Sequence, residues 1–111
     1  MKVRNIVDAL GLSVLSAPEG LDNEVVDCYV CDLLSDVMGN ADAGHAWVTL
    51  QTHKNVAAIA SLKEVACVIV VKGFAVPDDT LAMSNEDGIP FLSTTMETFE
   101  IAGKLYQLLK K

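Results

Sequence analysis

The chain has 111 residues, 51% of them hydrophobic, and a formal net charge of −7. That length suits one domain, 1–111, with enough apolar side chains to fill a core without disulfides or metal. No run approaches the roughly 18 apolar residues that a membrane helix needs, and Met1–Ile6 lacks the apolar region and cleavage site of a secretory leader.

Val3, Ile6, Val7 and Leu10 fall at i, i+3, i+4 and i+7, which predicts a first helix stopped by Gly11. Ser13–Ser16 reads as a short strand, Ala17–Gly20 as a turn and Glu24–Val30 as a second strand. Asp32 is placed to cap a helix over Leu33–Met38, ended by Gly39-Asn40. Ala46–Leu50 is a strand, and Thr52 is placed to cap an Ala-rich helix over Lys54–Leu62. Ala66–Val71 is apolar at every position, the mark of a strand covered on both faces inside a parallel sheet. Pro77 opens a helix over Asp78–Glu86, Gly88 ends it, and Ile89–Ser93 is the next strand. Thr94 and Glu97 have capping-box spacing for a last helix, with Phe99, Ala102, Leu105, Tyr106 and Leu109 along one face. The expected fold is α/β: a small three-layer-like module with a mainly parallel sheet built from strand–helix units, plus an amino-terminal helix and short strands.

Charge and thiol content narrow the chemistry. Between Asn5 and His53 there is no Lys or Arg, but eight carboxylates. Such a stretch repels a phosphate backbone, so nucleic acid is not an expected partner; solubility, or an acidic docking surface for a basic partner, remains. The odd cysteine count fits reduced thiols in a cytoplasmic protein. Cys28 and Cys31 have the spacing of a metal knuckle or redox pair, yet no second such pair supplies four zinc ligands, and Cys28 lies in a strand rather than at a helix start. They remain weak candidates, with no metal and no cofactor expected. Cys67 reads as core.

In parallel α/β sheets ligands bind at the carboxyl ends of strands. Gln51, Thr52 and His53 end one predicted strand, Gly73 ends the next, and Ser93 and Thr94 end the third. Together they offer hydroxyls, an amide, an imidazole and helix-start N–H groups, a set suited to a small anion or a nucleotide phosphate. The alternative is that Thr52 and Thr94 only cap helices. No Gly-Lys-Ser/Thr loop supports phosphoryl transfer, and no Ser-His-Asp relation is legible, so no catalytic residue is assigned. Trp47 has two readings, a dimer anchor or a core residue.

Asp32–Met38, Trp47–His53 and Gly88–Thr94 together resemble the DRTGG domain, over most of the chain. This small α/β module accompanies phosphotransacetylases and nucleotide-regulated pyrophosphatases, is similar to the amino-terminal domain of HPr kinase/phosphorylase, and also occurs free-standing. The family's Asp-Arg pair is replaced here by Gln51-Thr52-His53, and its Thr-Gly-Gly by Val71-Lys72-Gly73-Phe74, which keeps one glycine. The resemblance implies a regulatory module rather than an enzyme, and self-association. The expectation is therefore a non-catalytic homodimer binding a small anionic metabolite or nucleotide. Alternatives are a protein-docking module and, last, a small thiol redox or metal protein.

Overall fold

The computed structural model describes residues 1–110. Its elements are α1 (Val3–Leu10), β1 (Ser13–Val14), a 3-10 turn (Pro18–Asp22), β2 (Asp27–Val30), α2 (Leu34–Asn40), β3 (His45–Thr49), α3 (Lys54–Lys63), β4 (Cys67–Val70), α4 (Asp78–Asp87), β5 (Phe91–Ser93) and α5 (Thr98–Leu109). The strands form one sheet in the order β1-β5-β4-β3-β2. β2 to β5 run parallel and in sequence, while β1 joins β5 antiparallel.

This order explains the layers. Parallel crossovers share one hand, so a sheet that grows steadily in one direction puts every crossover helix on the same face. α2, α3 and α4 accordingly lie together, contributing Val37, Val56, Ala57, Ala60 and Leu81 to a core with Trp47, Val68, Val70 and Phe91. The opposite face is covered by α1 and α5, whose Val3, Ile6, Ile101 and Leu105 pack on Ala46, Val48, Cys67, Ile69 and Leu92. Successive β4 side chains alternate between the two cores, so the strand must be apolar throughout. Each fully buried aliphatic side chain there contributes roughly 1.5–3 kcal/mol. Trp47 is a core residue at 0% exposure, and its Nε1 donates to the Cys31 carbonyl at 2.9 Å.

Helix starts differ from the sequence expectation. The caps of α2 and α5 are Leu33 and Glu97, neither with a side-chain bond, and His53 rather than Thr52 caps α3. Pro77 sits at the cap position, one residue before α4. The buried stripe of α5 is Ile101 and Leu105, whereas Phe99 is 91% and Tyr106 67% exposed. Gly11 and Gly88 end α1 and α4 in the left-handed conformation, as expected.

Candidate functional site

All four crossover and carboxyl-terminal helices, α2 to α5, begin at the carboxyl edge of the sheet. The chain leaves β4 toward the α4 face and leaves β5 toward the opposite, α5 face. In open α/β sheets such a divergence is where a ligand crevice forms. Gly73 follows β4 there, and Ser93 and Thr94 end β5.

The two loops are bonded to each other. The Gly73 N–H donates to the Thr94 carbonyl at 2.9 Å, the Lys72 N–H to the Met96 carbonyl at 3.0 Å, and the Thr94 N–H to the Val70 carbonyl at 3.0 Å. Thr94 Oγ1 accepts the Met96 N–H at 3.1 Å, so its hydroxyl orders this loop instead of closing a capping box with Glu97. Lys72 and Gly73 both adopt positive φ, 63° and 68°. A lysine held in that region turns the chain back sharply and leaves its ammonium exposed at the rim.

The residues after β3 divide between two neighbours. Gln51 turns toward β2: its Nε2 donates to the Asp32 carbonyl at 3.2 Å. The Thr52 carbonyl accepts the buried Thr80 hydroxyl at 2.8 Å, tying this loop to the first turn of α4. His53 Nδ1 accepts the Asn55 N–H at 3.1 Å, which fixes the ring at the start of α3 and leaves Nε2 to solvent. The structure therefore joins Gly73 directly to Thr94, and sets Gln51, Thr52 and His53 on the same edge, beside β2 and α4.

Asp32 is the residue whose role the sequence hid. Its Oδ1 accepts the Thr49 hydroxyl and the Leu50 N–H, both at 2.8 Å, and pins the carboxyl ends of β2 and β3 together. An Asp two residues before a helix looks like a cap, and only the partner strand reveals the other use. Lys54 and Lys72 are exposed cations of this edge, outnumbered by Asp32, Asp36, Asp78, Asp79, Glu97 and Glu100.

The thiols do not form a pair. Cys28 packs on the α5-side core and Cys31 on the opposite one. Burial pushes the Cys28 thiol up to about 12, with the Asp27 carboxylate adding to the shift, and raises Cys67 further in the same direction. A thiol held neutral is a poor nucleophile and metal ligand. Among the described residues no group of three or more His, Cys, Asp or Glu side chains is arranged to hold a metal ion.

Two cavities lie elsewhere. A cleft of about 480 Å³ opens at the amino edge of the sheet, lined by Asn23, Glu24, Gly44, Glu64, Asp87 and Gly88 among others. A smaller groove of about 270 Å³ lies between β2 and α5.

The sequence pattern of the DRTGG domain matches residues 5–108. No curated protein matches the chain. Among solved structures, the CBS and DRTGG domains of the regulatory region of Clostridium perfringens pyrophosphatase, complexed with the activator diadenosine tetraphosphate, superpose with a TM-score of 0.71 at 15% identity. The match covers 94% of this chain and 45% of that one, and at such identity the likeness is one of fold. No described helix is long and apolar enough to cross a membrane.

Proposed function

The chain belongs to the DRTGG domain family, and from that premise we propose that it is a non-catalytic regulatory unit that binds a small anionic metabolite or nucleotide at the carboxyl ends of its strands and self-associates. The observation that carries the ligand reading is the divergence of the chain after β4 and β5, with Gly73, Ser93 and Thr94 at that point and His53, Lys54 and Lys72 around it. Helix starts at one edge favour a phosphate group there, with Lys54 and Lys72 as the cations to meet it among the carboxylates of α2 and α4. The nucleotide in the complex of the pyrophosphatase regulatory region supports the ligand class.

Thermal denaturation with AMP, ADP, ATP, diadenosine tetraphosphate and inorganic phosphate tests this. A ligand at a hundred times its Kd stabilises by about 2.7 kcal/mol, a rise in Tm of about 10 °C for a domain of this size. Gly73→Asp should abolish the rise, because it sets a carboxylate against the anion. The variant should still fold: an added Cβ comes no nearer than 3.7 Å to Thr95, and Asp tolerates positive φ at a cost of about 1 kcal/mol. No response to any of these compounds would overturn the ligand reading. It would favour a second reading, docking of a basic partner, for which the acidic amino-end cleft is the specific observation.

A further inference from the structure

β2 ends the sheet: it pairs with β3 on one side and, among the described residues, with no strand on the other. The Cys31 N–H donates to the Val48 carbonyl at 3.1 Å, which turns the backbone of Tyr29 and Cys31 toward β3. Backbone groups of alternate residues point to opposite sides of a strand, so those of Cys28 and Val30 face outward. The Cys28 N–H donates to Asp27 Oδ1 at 2.8 Å, and Lys110 Nζ stands 3.3 Å from the same oxygen. The Cys28 carbonyl and both backbone groups of Val30 have no partner among the described residues. An unpaired edge of this kind is a template for another strand.

Beside the edge runs the groove of about 270 Å³ between β2 and α5. Cys28 and Val30 form one wall and Ala102, Tyr106 and Leu109 the other, with the Asp27–Lys110 ion pair at one end. Val30 is 45% and Tyr106 67% exposed, so the walls are open to an incoming group. The volume lies below the roughly 300–1,000 Å³ of small-molecule pockets and suits side chains instead.

We propose that the β2 edge and this groove are a docking site for an extended, basic segment of a partner protein. The segment adds to the sheet beside β2, its alternate apolar side chains enter the groove, and a Lys or Arg pairs with Asp27. The site lies two strands from the divergence of β4 and β5 and shares no lining residue with the amino-end cleft. Its occupation therefore does not depend on the anion proposed above.

Geometry and charge choose this occupant. Hydrogen bonds to the open groups of Cys28 and Val30 require an extended backbone, and such a backbone sends every second side chain to one face. Cys28 packs on the α5 side of the sheet, so that face of the added strand meets Tyr106 and Leu109. The stretch that contains β2, between Asn5 and His53, has eight carboxylates and no Lys or Arg. Lys110 is the cation lining the groove, and Asp27 already holds it. The Cys28 N–H and Lys110 keep the Asp27 carboxyl below its ordinary value of 3.8, so it is charged at neutral pH. A second copy of the chain would bring the same carboxylates to the same edge, whereas a basic segment neutralises them.

Selection of a displayed random-peptide library on the whole protein, followed by anisotropy titration of the synthesised winners, tests this. The winners should alternate apolar residues with Lys or Arg. Val30→Pro removes the outward N–H, keeps every charge and suits an edge strand; it should weaken binding about tenfold. Tyr106→Ala should weaken it by about the same factor. Asp27→Asn should weaken it about threefold and flatten its salt dependence, and Lys110→Ala, which frees Asp27, should tighten it about twofold. Exchange of the Val30 amide hydrogen should slow when peptide binds, and circular dichroism of the variants should match the wild type. Enrichment of no sequence, or of acidic ones, overturns the proposal. So does undiminished binding to Val30→Pro with the Val30 amide still exchanging freely, because charge alone would then hold the peptide. A dimer in sedimentation equilibrium that Val30→Pro dissolves would give the edge to a second copy and overturn the partner.

Discussion

The amino and carboxyl ends of the parallel strands differ in helix polarity and in shape. At the amino end α3 and α4 terminate, with Glu64 and Gly88 as left-handed caps, and Glu24 and Asp87 join Glu64 around a cleft of about 480 Å³. Helix carboxyl termini add negative partial charge to those carboxylates. At the carboxyl end four helices start, the exposed Lys54 and Lys72 are present, and the loops after β4 and β5 are laced together by backbone bonds. The cleft is thus at the end where helix termini add to the negative charge. Volume alone would choose the amino cleft for a phosphate ligand; helix polarity chooses the other end, where Lys54 and Lys72 stand among the first-turn carboxylates Asp36, Asp78, Asp79 and Glu100.

The largest expected effect strikes the amino end. A Cβ on Gly20 would run into the Gly88 carbonyl and lie 2.6 Å from Pro90 Cδ. Gly20→Ala should therefore cost about 3 kcal/mol, a fall in Tm of about 12 °C. The ligand response at the far end should persist, and its loss in the folded variant would show that the two ends act as one.

Next in size is an alkaline transition on the α5 side of the sheet. The thiols of Cys28 and Cys67 are raised by burial from an ordinary value of 9.0. The folded state therefore keeps protons that the unfolded chain gives up, and stability falls as pH climbs from 9 toward the folded-state values. Denaturant melts at pH 8 and pH 10 should differ by about 2.7 kcal/mol for the two thiols together. Cys28→Ala should roughly halve that difference, and an unchanged slope would mean that Cys28 is hydrated.

At the carboxyl end, Asp32→Ala removes the acceptor of the Thr49 hydroxyl and the Leu50 N–H. The expected loss is about 1–2 kcal/mol in a chemical melt, together with weaker ligand binding if β2 and β3 must stay aligned to hold Gln51. The smallest effect sharpens the contrast. Glu64→Gln with Asp87→Asn removes two of the three carboxylates of the amino cleft, about 15 Å away along the strands. That is nearly two Debye lengths at physiological salt, so nucleotide affinity should change less than about twofold. A larger change in a titration would mean that the two ends share one field.

The sequence made the strand–helix alternation plain, because β4 is apolar at each position and because Gly11, Gly88 and Pro77 punctuate the helices. It also set the residues after β3, β4 and β5 on one edge, since parallel strands bring their ends together whatever else they do. Caps were illegible for a physical reason. Asp32, Thr52 and Thr94 each have cap chemistry, but at Asp32 Thr49 and Leu50 of the neighbouring strand segment take the oxygen, and at Thr94 the Met96 N–H of its own loop does. The face of α5 was ambiguous because the helix holds two stripes, Ile101/Leu105 and Phe99/Tyr106, and periodicity does not say which one meets the sheet. The antiparallel direction of β1 rests on Ser13 opposite Ser93 and Val14 opposite Leu92, a pairing between segments too distant for any local pattern to encode.

That distant pairing bears on how the protein is made. β1 has no sheet partner until β5 exists, and the buried Ser16 hydroxyl waits 75 residues for the Phe91 N–H that it accepts. On the ribosome, β2, β3 and β4 can assemble in the order of their synthesis, whereas the first strand stays unpaired until β5 has emerged. Closing a loop of that length is the slow, entropy-limited event of such a topology. A newly made chain should thus pass through a form with its parallel core built and its amino-terminal segment loose, and variants at Ser16 should lengthen the life of that form.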